Sequence, residues 1–512
     1  MAKLLFVQNL WHEYPGLMAL SGVLKDQGHE CDLVVARSAK AVVKEFLKTS
    51  PDVVGFSVML GTDEWSREAS AAIKKISDVP IVWGGFFPTL YPEVLDYDEV
   101  DVICRGEGEG ALTDLMNAVD AGEDFSSIAN LWVKRDGAVV KNAMRPLIDL
   151  DELPFFDREL YAKYPFFNLM PTVVAIDRYC PNSCTFCCQP MLRKAYLEDG
   201  LAFHTTETRH YQKISVERAI RELEEIKASD YYRKRKNKLI YFGSDNTNGD
   251  RAWFMEFFAE YRDRVGLPFF CSLCLKDFDE DQARLLREAN NYIMGCGIEC
   301  GNSGLRNKVL NKGLPTEDIL RAGQLTKKYD IFMFSGNMVG VPGETVEQAF
   351  ETVDLHRQLG SRGVVVFLCH PYRDSALEKY SIRHGFMAPR TGDEQTTTFH
   401  DGSPLALQEN IHELENLHKL FLVVMRYPRL DPLWKKLLKV PANPAFDMVF
   451  LATHGYLYMK KLQNLGFLDS IRFAAHHVDN SAVFLARSVV GETSALRGAA
   501  KKIGRLLGRT DS

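Results

Sequence analysis

Three cysteines stand close together in one segment of the sequence. Cys180, Cys184 and Cys187 have the spacing C-x3-C-x2-C, and the chain contains 11 cysteines among 512 residues. This composition produces the spacing by chance only about 0.005 times per chain. Three thiolates on a short loop can bind three irons of an iron–sulfur cube and leave the fourth iron open. The spacing therefore predicts a 4Fe-4S cluster with an open site at which a small molecule can bind and react.

Two other interpretations of this segment remain open from the residues alone. Cys188 follows directly, so C-x3-C-x3-C, with Cys188 as the third ligand, is a second possible set. A zinc site would instead join Cys184 and Cys187 to Cys271 and Cys274. Zinc is disfavoured because 83 residues separate the two pairs, and because the second pair falls in a predicted strand, where residues three apart face opposite ways. The remaining cysteines are predicted to be small buried apolar residues: Cys31, Cys104, Cys296, Cys300 and Cys369.

The elements that would position the cysteines alternate between strand and helix over residues 171–375. Six apolar strand patterns alternate with helical patterns, which fits a partial parallel (β/α)6 barrel. The predicted strands are TVVAIDR, KLIYFGS, PFFCSLC, YIMGCGIE, IFMFSGNM and GVVVFLC. The predicted helices cover 216–228, 251–265, 279–289, 317–328 and 345–359. The cysteines follow the first strand, and in such barrels the loops after the strands carry the chemistry.

The same alternation in residues 1–147 predicts a Rossmann-like N-terminal domain, so the fold class is α/β. Its helices are predicted at 14–28, 39–48 and 64–76, between strands of a parallel sheet whose ligand crevice lies beyond the strand carboxyl ends. Acidic, aromatic and proline residues without a sustained period predict a linker at 148–170. Residues 376–512 are predicted to be a helical C-terminal region, with helices at 405–425, 446–465 and 481–507.

Residues 180–187, CPNSCTFC, on the first strand-to-helix loop of a partial barrel, resemble the radical S-adenosylmethionine (SAM) superfamily. The resemblance implies that Cys180, Cys184 and Cys187 hold a 4Fe-4S cluster. Its fourth iron would chelate the amino and carboxylate groups of SAM, and one electron would cleave SAM to methionine and a 5′-deoxyadenosyl radical. The usual glycine-glycine-glutamate motif is absent, and Ser244-Asp245-Asn246 takes its place. The implied SAM contacts are Phe186, Asp245, Glu299 and Gly340.

Two glycine-bearing segments follow predicted strands of the N-terminal domain: WGGFFPT at 83–89 and RGEGEG at 105–110. Glycines let a ligand approach the backbone, and nearby helix N-termini can hold a phosphate. No G-x-G-x-x-G follows the first strand, which counts against a dinucleotide. Together with LDELPFFDREL in the linker, the segments resemble the cobalamin-binding domain of one radical SAM subclass. The implied cobalamin contacts are Gln8, Ser57, Thr62, Gly84, Gly85, Gly106, Glu107 and Gly108. The D-x-H-x-x-G motif is absent, and His12 is the one candidate to replace its cobalt-binding histidine.

The resemblance implies a cobalamin-dependent enzyme that methylates an unactivated carbon through a 5′-deoxyadenosyl radical and methylcobalamin. An alternative with the same cofactors is oxidative cyclisation or rearrangement, as in the anaerobic tetrapyrrole ring cyclases of this subclass. A third hypothesis is a non-catalytic corrinoid and iron–sulfur sensor or electron carrier. The expected partners are an organic substrate, which the sequence does not identify, and a reducing protein such as flavodoxin or ferredoxin.

Composition and charge restrict the location and the partners. The 62 Lys and Arg against 68 Asp and Glu give a net charge of −6, so nucleic acid is not an expected partner. The N-terminus lacks the pattern of a secretion signal and no apolar run reaches the roughly 18 residues of a membrane span, so we expect a cytoplasmic protein. The C-terminal segment predicts a solvated helix face or weak contact with a membrane surface. Its basic residues are Arg497, Lys501, Lys502, Arg505 and Arg509.

Overall fold

The computed structural model confirms the α/β class, with two separate sheets and a helical C-terminal region. The bounds of the four segments given above remain predictions. The structure describes residues 1–201, 212–244, 246–390, 400, 402–441 and 443–457.

The N-terminal sheet has seven strands in the order β2-β1-β3-β4-β5-β6-β7. The first five are parallel and are buried on both faces between two hydrophobic clusters, as expected of near-continuous apolar strands. The strands are β1 (Lys3–Gln8), β2 (Glu30–Val35), β3 (Val53–Ser57), β4 (Ile81–Gly84), β5 (Val102–Cys104), β6 (Leu131–Arg135) and β7 (Ala138–Lys141). The helices are α1 (Pro15–Asp26), α2 (Ala39–Thr49), α3 (Asp63–Lys74), α4 (Phe86–Leu90) and α5 (Glu109–Ala121).

The prediction of a wholly parallel sheet was wrong at one edge. β6 pairs antiparallel with β5 and forms a hairpin with β7. The hairpin turns at Asp136 and Gly137, which have φ values of 50° and 78°. An Asp-Gly pair between two strands with alternating apolar residues is a strong hairpin signal, so the sequence contained enough information to predict this hairpin.

The segment predicted as a linker is packed against both sheets. It contains three 3-10 turns, Leu150–Glu152, Arg158–Tyr161 and Pro165–Leu169. Its apolar side chains from Leu160 to Met170 join the core on one face of the first sheet, and Leu150 and Leu153 join the core of the barrel. The hydroxyl of Tyr161 donates to Gln8 Oε1 at 2.7 Å and accepts from the Tyr14 N–H at 3.0 Å. The segment therefore fixes the loop that follows β1.

The second sheet has six parallel strands in the order β15-β14-β13-β12-β11-β8, and this confirms the predicted partial barrel. Its edge strands β8 and β15 do not pair with each other, so the barrel is open between them. The strands are β8 (Thr172–Val174), β11 (Ile240–Phe242), β12 (Phe269–Leu273), β13 (Asn291–Glu299), β14 (Met333–Val339) and β15 (Gly363–Leu368). A two-stranded ribbon stands beside them, made of β9 (Asp177–Arg178) and β10 (Gln212–Lys213).

The barrel helices begin where capping residues stand in the sequence. Asp279 and Thr345 each form a capping box with a glutamine three residues later, Gln282 and Gln348. The helices are α6 (Gln189–Glu198), α7 (Val216–Ala228), α8 (Asp230–Lys234), α9 (Arg251–Glu260), α10 (Glu280–Glu288), α11 (Thr316–Lys328) and α12 (Val346–Leu359). α9 continues into a π-helical turn, Tyr261–Val265.

The two sheets are joined by buried charged groups. Glu13, after β1, pairs with Arg235, after α8, and both side chains are almost fully buried. The hydroxyl of Tyr231 donates to Glu13 Oε1 at 2.6 Å. Burial raises the pKa of Glu13, and the Arg235 guanidinium acts against that shift. A second buried pair joins Arg158 of the packed segment to Glu222 of α7 at 2.7 Å.

The described C-terminal region is helical, as predicted, and it covers β14 and β15 through one apolar cluster. The helix predicted from residue 405 begins instead at Ile411, because Gln408 turns to bond the start of α12: its Oε1 accepts from the Gly343 N–H at 3.0 Å. The helices are α13 (Ala376–Arg383), α14 (Ile411–Arg426), α15 (Asp431–Leu437) and α16 (Pro444–Leu457). The predicted helix at 481–507 and the end of that at 446–465 lie outside the described residues. No described helix combines the length and apolar character needed to cross a bilayer.

Candidate functional site

The predicted cluster ligands lie on the loop that leaves the first barrel strand. The chain turns at Tyr179, whose φ is 67°, passes the three cysteines and enters α6. Thr185 anchors the loop, because its N–H donates to Leu310 O at 3.0 Å and its hydroxyl donates to Val309 O at 2.7 Å. The N–H of Leu377 in α13 donates to Thr185 O at 3.0 Å. Hydrogen bonds to two neighbouring segments therefore fix the backbone that carries the cysteines.

The three thiols lie together, close to the Lys312 ammonium and to the first residue of α6. Cys184 is 7% exposed, and Cys180 and Cys187 are half-buried. Burial raises the pKa of the Cys184 thiol to about 11, and Lys312 is near enough to act against that shift. Both other thiols lie within electrostatic range of Cys184. The N–H of Gln189, the first residue of α6, donates to Cys187 Sγ at 3.5 Å. A cation and a helix N-terminus both stabilise thiolate character.

This donor set fits an iron–sulfur cube better than a single metal ion. All eleven cysteines are described and none forms a disulfide. Within the described ranges, no three His, Cys, Asp or Glu side chains converge on one ion site. The ligands of a cube bind separate irons, so they have no need to converge. Cys271 is buried in the barrel core, whereas Cys274 lies within electrostatic range of Lys312, as Cys184 does. The described residues therefore do not bring the four cysteines of the zinc alternative together at one ion site. The alternative ligand Cys188 is the residue before α6, and its role stays a prediction.

Two of the predicted SAM contacts lie beside Cys184. Glu299 ends β13 with a φ of 70°, and its Oε1 accepts from Lys312 Nζ at 2.9 Å. The same ammonium lies 5.8 Å from the ring centroid of Phe186. The pair rests against Gly297, where a Cβ would come within 2.1 Å of Glu299 Oε1. Lys312 was not predicted, and no motif or period marked it, because only the fold of the loop after β13 brings it to the cysteines.

Gly340 and Asp245 are the other two predicted SAM contacts. Gly340 follows β14 with a φ of 79°, and its N–H donates to Glu344 Oε2 at 2.6 Å. Burial raises the pKa of Glu344 to about 7, and the N–H groups of Gly340 and Val341 offset part of the rise. Asp245 lies outside the described residues, so its predicted contact is not located. Its neighbour Ser244 is buried and donates to Asp177 at the base of the cysteine loop.

A cavity of about 550 Å³ lies between the N-terminal sheet and the cysteine loop. On the barrel side it is lined by Cys187, Cys188 and Gln189. On the other side it is lined by the loops at the carboxyl ends of β1, β3, β4 and β5, which parallel pairing brings to one sheet edge. Six residues of the predicted cobalamin set line it: Ser57, Gly84, Gly85, Gly106, Glu107 and Gly108.

Gln8 and Thr62 are the two members of the predicted cobalamin set that do not line this cavity. Gln8 is buried at the end of β1, where its Nε2 donates to Leu10 O at 2.6 Å and to His12 O at 3.0 Å. Thr62 is also buried, and its hydroxyl donates to Met59 O at 2.9 Å. Their side chains shape the loops from inside the domain. His12 does line the cavity, and its role as a cobalt ligand stays a prediction.

An ion-pair cluster forms the cavity wall where the two domains meet. Arg178, on β9, donates from Nη1 to Glu107 Oε1 at 3.0 Å and from Nη2 to Glu109. Burial raises the pKa of Glu107, and Arg178 offsets part of the rise. The hydroxyl of Tyr196, in α6, accepts from the Glu107 N–H at 3.0 Å and lies 3.0 Å from the Tyr179 hydroxyl. The glycine loop after β5 and the cysteine loop are therefore bound to each other directly.

We expect replacement of Gly106 by alanine to loosen this wall. Its φ is 74°, and a Cβ would lie 2.4 Å from the Tyr196 hydroxyl. A left-handed alanine costs about 1–2 kcal/mol, and crowding in a packed site adds about 1–3 kcal/mol. Gly122→Ala is the matched control, because its φ is 67° and nothing lies within 4 Å of the new Cβ. Urea unfolding should give a lower midpoint for Gly106→Ala than for Gly122→Ala. Equal midpoints would show that the Tyr196 side chain moves away from the new Cβ without a measurable loss of stability.

Family models match the two halves of this arrangement. The model described as the B12 binding domain matches residues 7–116, and that of the Radical SAM superfamily matches residues 174–356. An uncharacterized methyltransferase of Pyrococcus horikoshii is 25% identical over 373 residues, which cover 72% of this chain and 76% of that protein. The anaerobic magnesium-protoporphyrin IX monomethyl ester cyclase of Rubrivivax gelatinosus is 26% identical over 359 residues, which cover 66% of this chain and 60% of the cyclase.

Solved structures show the same fold at lower identity. The radical S-adenosylmethionine methyltransferase TsrM from Kitasatospora setae, with cobalamin and a [4Fe-4S] cluster bound, superposes with a TM-score of 0.61 at 18% identity, over 80% of each chain. The cobalamin-dependent S-adenosylmethionine radical enzyme OxsB, with aqua-cobalamin and S-adenosylmethionine bound, has a TM-score of 0.66 at 14% identity, over 100% of this chain and 82% of that one. At these identities the likeness concerns the fold.

Proposed function

We propose that this chain, a member of the radical SAM superfamily with an N-terminal B12-binding domain, methylates an unactivated carbon of an organic substrate. Its cofactors are a 4Fe-4S cluster, SAM and cobalamin. When bound, the cluster and SAM supply a carbon-centred radical and cobalamin supplies the methyl group. The substrate's identity does not follow from the residues on the cavity wall.

The observation that carries the proposal is the shared cavity. The glycine loops after β4 and β5 and the thiol of Cys187 line the same space of about 550 Å³. A methyl donor and a radical source must both reach one substrate carbon, and a reaction between them requires that they be held close together in a fixed orientation. One space bounded by both sets of residues meets that requirement.

Each group of residues has a part in this proposal. Cys180, Cys184 and Cys187 would hold the cluster. Three side chains beside Cys184 would hold SAM. Phe186 would supply an apolar face, and Glu299 and the Lys312 ammonium would supply two opposite charges.

The N-terminal loops would hold the cobalamin. Gly84, Gly85, Gly106 and Gly108 leave the backbone of the cavity wall open to close approach by the cofactor. Arg178, bound to Glu107 and Glu109, would keep those loops in register with the cysteines. We also propose that a small electron-transfer protein such as flavodoxin or ferredoxin reduces the cluster.

The test is a product count with SAM that carries an isotopic label in its methyl group. Protein reconstituted without oxygen, with reductant and a metabolite extract, should release S-adenosylhomocysteine and 5′-deoxyadenosine in equal amounts. One SAM then gives up its methyl group to the substrate, and a second is cleaved to 5′-deoxyadenosine and methionine, which keeps its labelled methyl group. The label should therefore appear in methionine and in one new methylated product. The unreacted extract and a Cys184→Ala protein serve as controls.

The cyclase relative makes ring closure the second candidate function. Cyclisation consumes SAM as a radical source alone, so it predicts 5′-deoxyadenosine without S-adenosylhomocysteine and an unlabelled product. That result would contradict the methyltransferase proposal and leave the radical chemistry intact. Protein that holds both cofactors and cleaves no SAM would instead support a sensor or an electron carrier.

A further inference from the structure

Residues 426–440, from the end of α14 toward α16, form a surface segment of short helical turns. A 3-10 turn, Pro428–Leu430, leads into α15. Backbone hydrogen bonds continue past α15, from the Leu438 N–H to Trp434 O at 2.9 Å and from the Val440 N–H to Leu437 O at 3.1 Å. We call these residues the 426–440 segment. None of its residues lines the cavity at the cysteine loop.

One face of the 426–440 segment attaches it to the protein. Leu438 is fully buried, and Trp434 packs against the same apolar cluster that covers β14 and β15. Asp431, the one acidic residue of the segment, accepts from both terminal nitrogens of Arg357 at 2.7 Å. These contacts fix the orientation of the segment, so its opposite face is held outward.

The exposed side of the segment carries an apolar stripe. Leu430, Leu433 and Val440 are 41%, 49% and 37% exposed, and Tyr427 is 54% exposed. Leu433 lies in α15, and Leu430 and Val440 lie in the turns that flank it. A helix that has buried one apolar side normally leaves polar residues on the other, so this second stripe lacks a structural purpose within the described chain.

Positive charge surrounds the stripe. The segment has five basic residues and one acidic residue, whereas the whole chain has a net charge of −6. All five basic residues are exposed, and none has a hydrogen bond or an ion pair to a carboxylate of the described residues. They are Arg426, Arg429, Lys435, Lys436 and Lys439. Lys435 and Lys439 line a surface cavity together with Glu347 and Glu413, so the local excess of positive charge is carried mainly by Arg426, Arg429 and Lys436.

We propose that the 426–440 segment is a docking surface for an anionic membrane, with its apolar stripe in the lipid and its basic residues at the headgroups. Apolar residues flanked by lysine and arginine are the features that bind a helix in the plane of a bilayer interface. Nucleic acid would use the charges but leaves Leu430 and Leu433 without a role. The predicted basic residues at 497–509 lie outside the described chain and are not part of this surface.

The test measures binding of the full-length reconstituted protein to vesicles by co-sedimentation. Vesicles of phosphatidylcholine with one-third phosphatidylserine should bind it, and vesicles of phosphatidylcholine alone should bind it much less. Because each basic residue near an anionic surface contributes about a five-fold gain in binding, Arg429→Glu with Lys436→Glu should reduce binding by about ten-fold or more. Leu430→Ser with Leu433→Ser should reduce it by a similar factor at unchanged net charge.

Matched controls separate the segment from net charge and from misfolding. Lys40→Glu with Lys44→Glu makes the same charge change on the exposed side of α2, and Leu47→Ser removes an exposed leucine there; both should bind vesicles like the unchanged protein. All variants should keep their iron and cobalt content, because none lies at the cavity. Equal loss in the α2 variants, no binding to anionic vesicles, or binding only to an acidic protein such as flavodoxin would overturn the proposal.

Discussion

Cys184→Ala is expected to abolish iron–sulfur binding and SAM cleavage. Cys184 is the most buried of the three thiols and interacts with the other two and with Lys312, so its loss would leave the proposed cluster with two protein ligands. The rate of 5′-deoxyadenosine formation should fall below about one-hundredth of that of the unchanged protein, because the cofactor supplies the chemistry. Iron and sulfide analysis after anaerobic reconstitution, with the absorption spectrum, measures the effect.

Two cysteine controls sharpen this result. Cys369→Ala removes a buried thiol of an apolar cluster near the site, and this variant should keep the full iron content. That result would show that the removal of any buried thiol is not enough to cause the iron loss expected of Cys184→Ala. Cys188→Ala tests the alternative ligand set and should also keep it. A protein that holds iron equally well with Cys184→Ala would refute the cluster assignment; loss of iron with Cys188→Ala and not with Cys187→Ala would replace Cys187 by Cys188.

Arg178→Met is expected to weaken cobalamin binding and lower stability, while the cluster is retained. Arg178 is the shared partner of Glu107 and Glu109, which are 11% and 5% exposed. Removal of one partner of a buried ion pair costs about 3–5 kcal/mol, because the remaining charges lie buried and uncompensated. The loop after β5 should shift, and the Kd for cobalamin should rise about ten-fold or more, equivalent to about 1.4 kcal/mol. Equilibrium dialysis with hydroxocobalamin and urea unfolding measure the two effects.

Two further variants test the cause of this effect. Arg178→Lys keeps the positive charge but has one ammonium for two carboxylates. Its cobalamin Kd and its stability in urea should therefore lie between those of the Arg178→Met variant and those of the unchanged protein. Adding Glu107→Gln and Glu109→Gln to Arg178→Met should restore part of the stability, because the uncompensated charges are removed with their partner. Cobalamin binding that is unchanged in Arg178→Met would contradict the placement of the cofactor against this wall.

The parts of the fold that were predicted are those that repeat locally. Apolar runs that alternate with helical patterns predicted the six barrel strands and the parallel strands of the N-terminal sheet. These patterns could be recognised because strand and helix periodicity depends on residues only a few positions apart. The hairpin after β5 was missed although Asp136-Gly137 marked it. The packed turns at 148–170 were not predicted, because irregular backbone has no period and is stabilised by the surface on which it lies.

By itself, the sequence indicated the cysteine loop and the glycine loops as candidate sites, because each is a contiguous segment with a distinctive set of residue types and spacing. Only the tertiary structure placed the two against one cavity and showed that Gln8 and Thr62 face inward instead. It also brought Lys312 to Glu299 and Arg178 to Glu107, pairs that lie 13 and 71 residues apart in the chain. Contacts of this kind depend on how strands pair and on how domains pack. A local pattern of residues does not show which residues that lie far apart in the chain will come into contact.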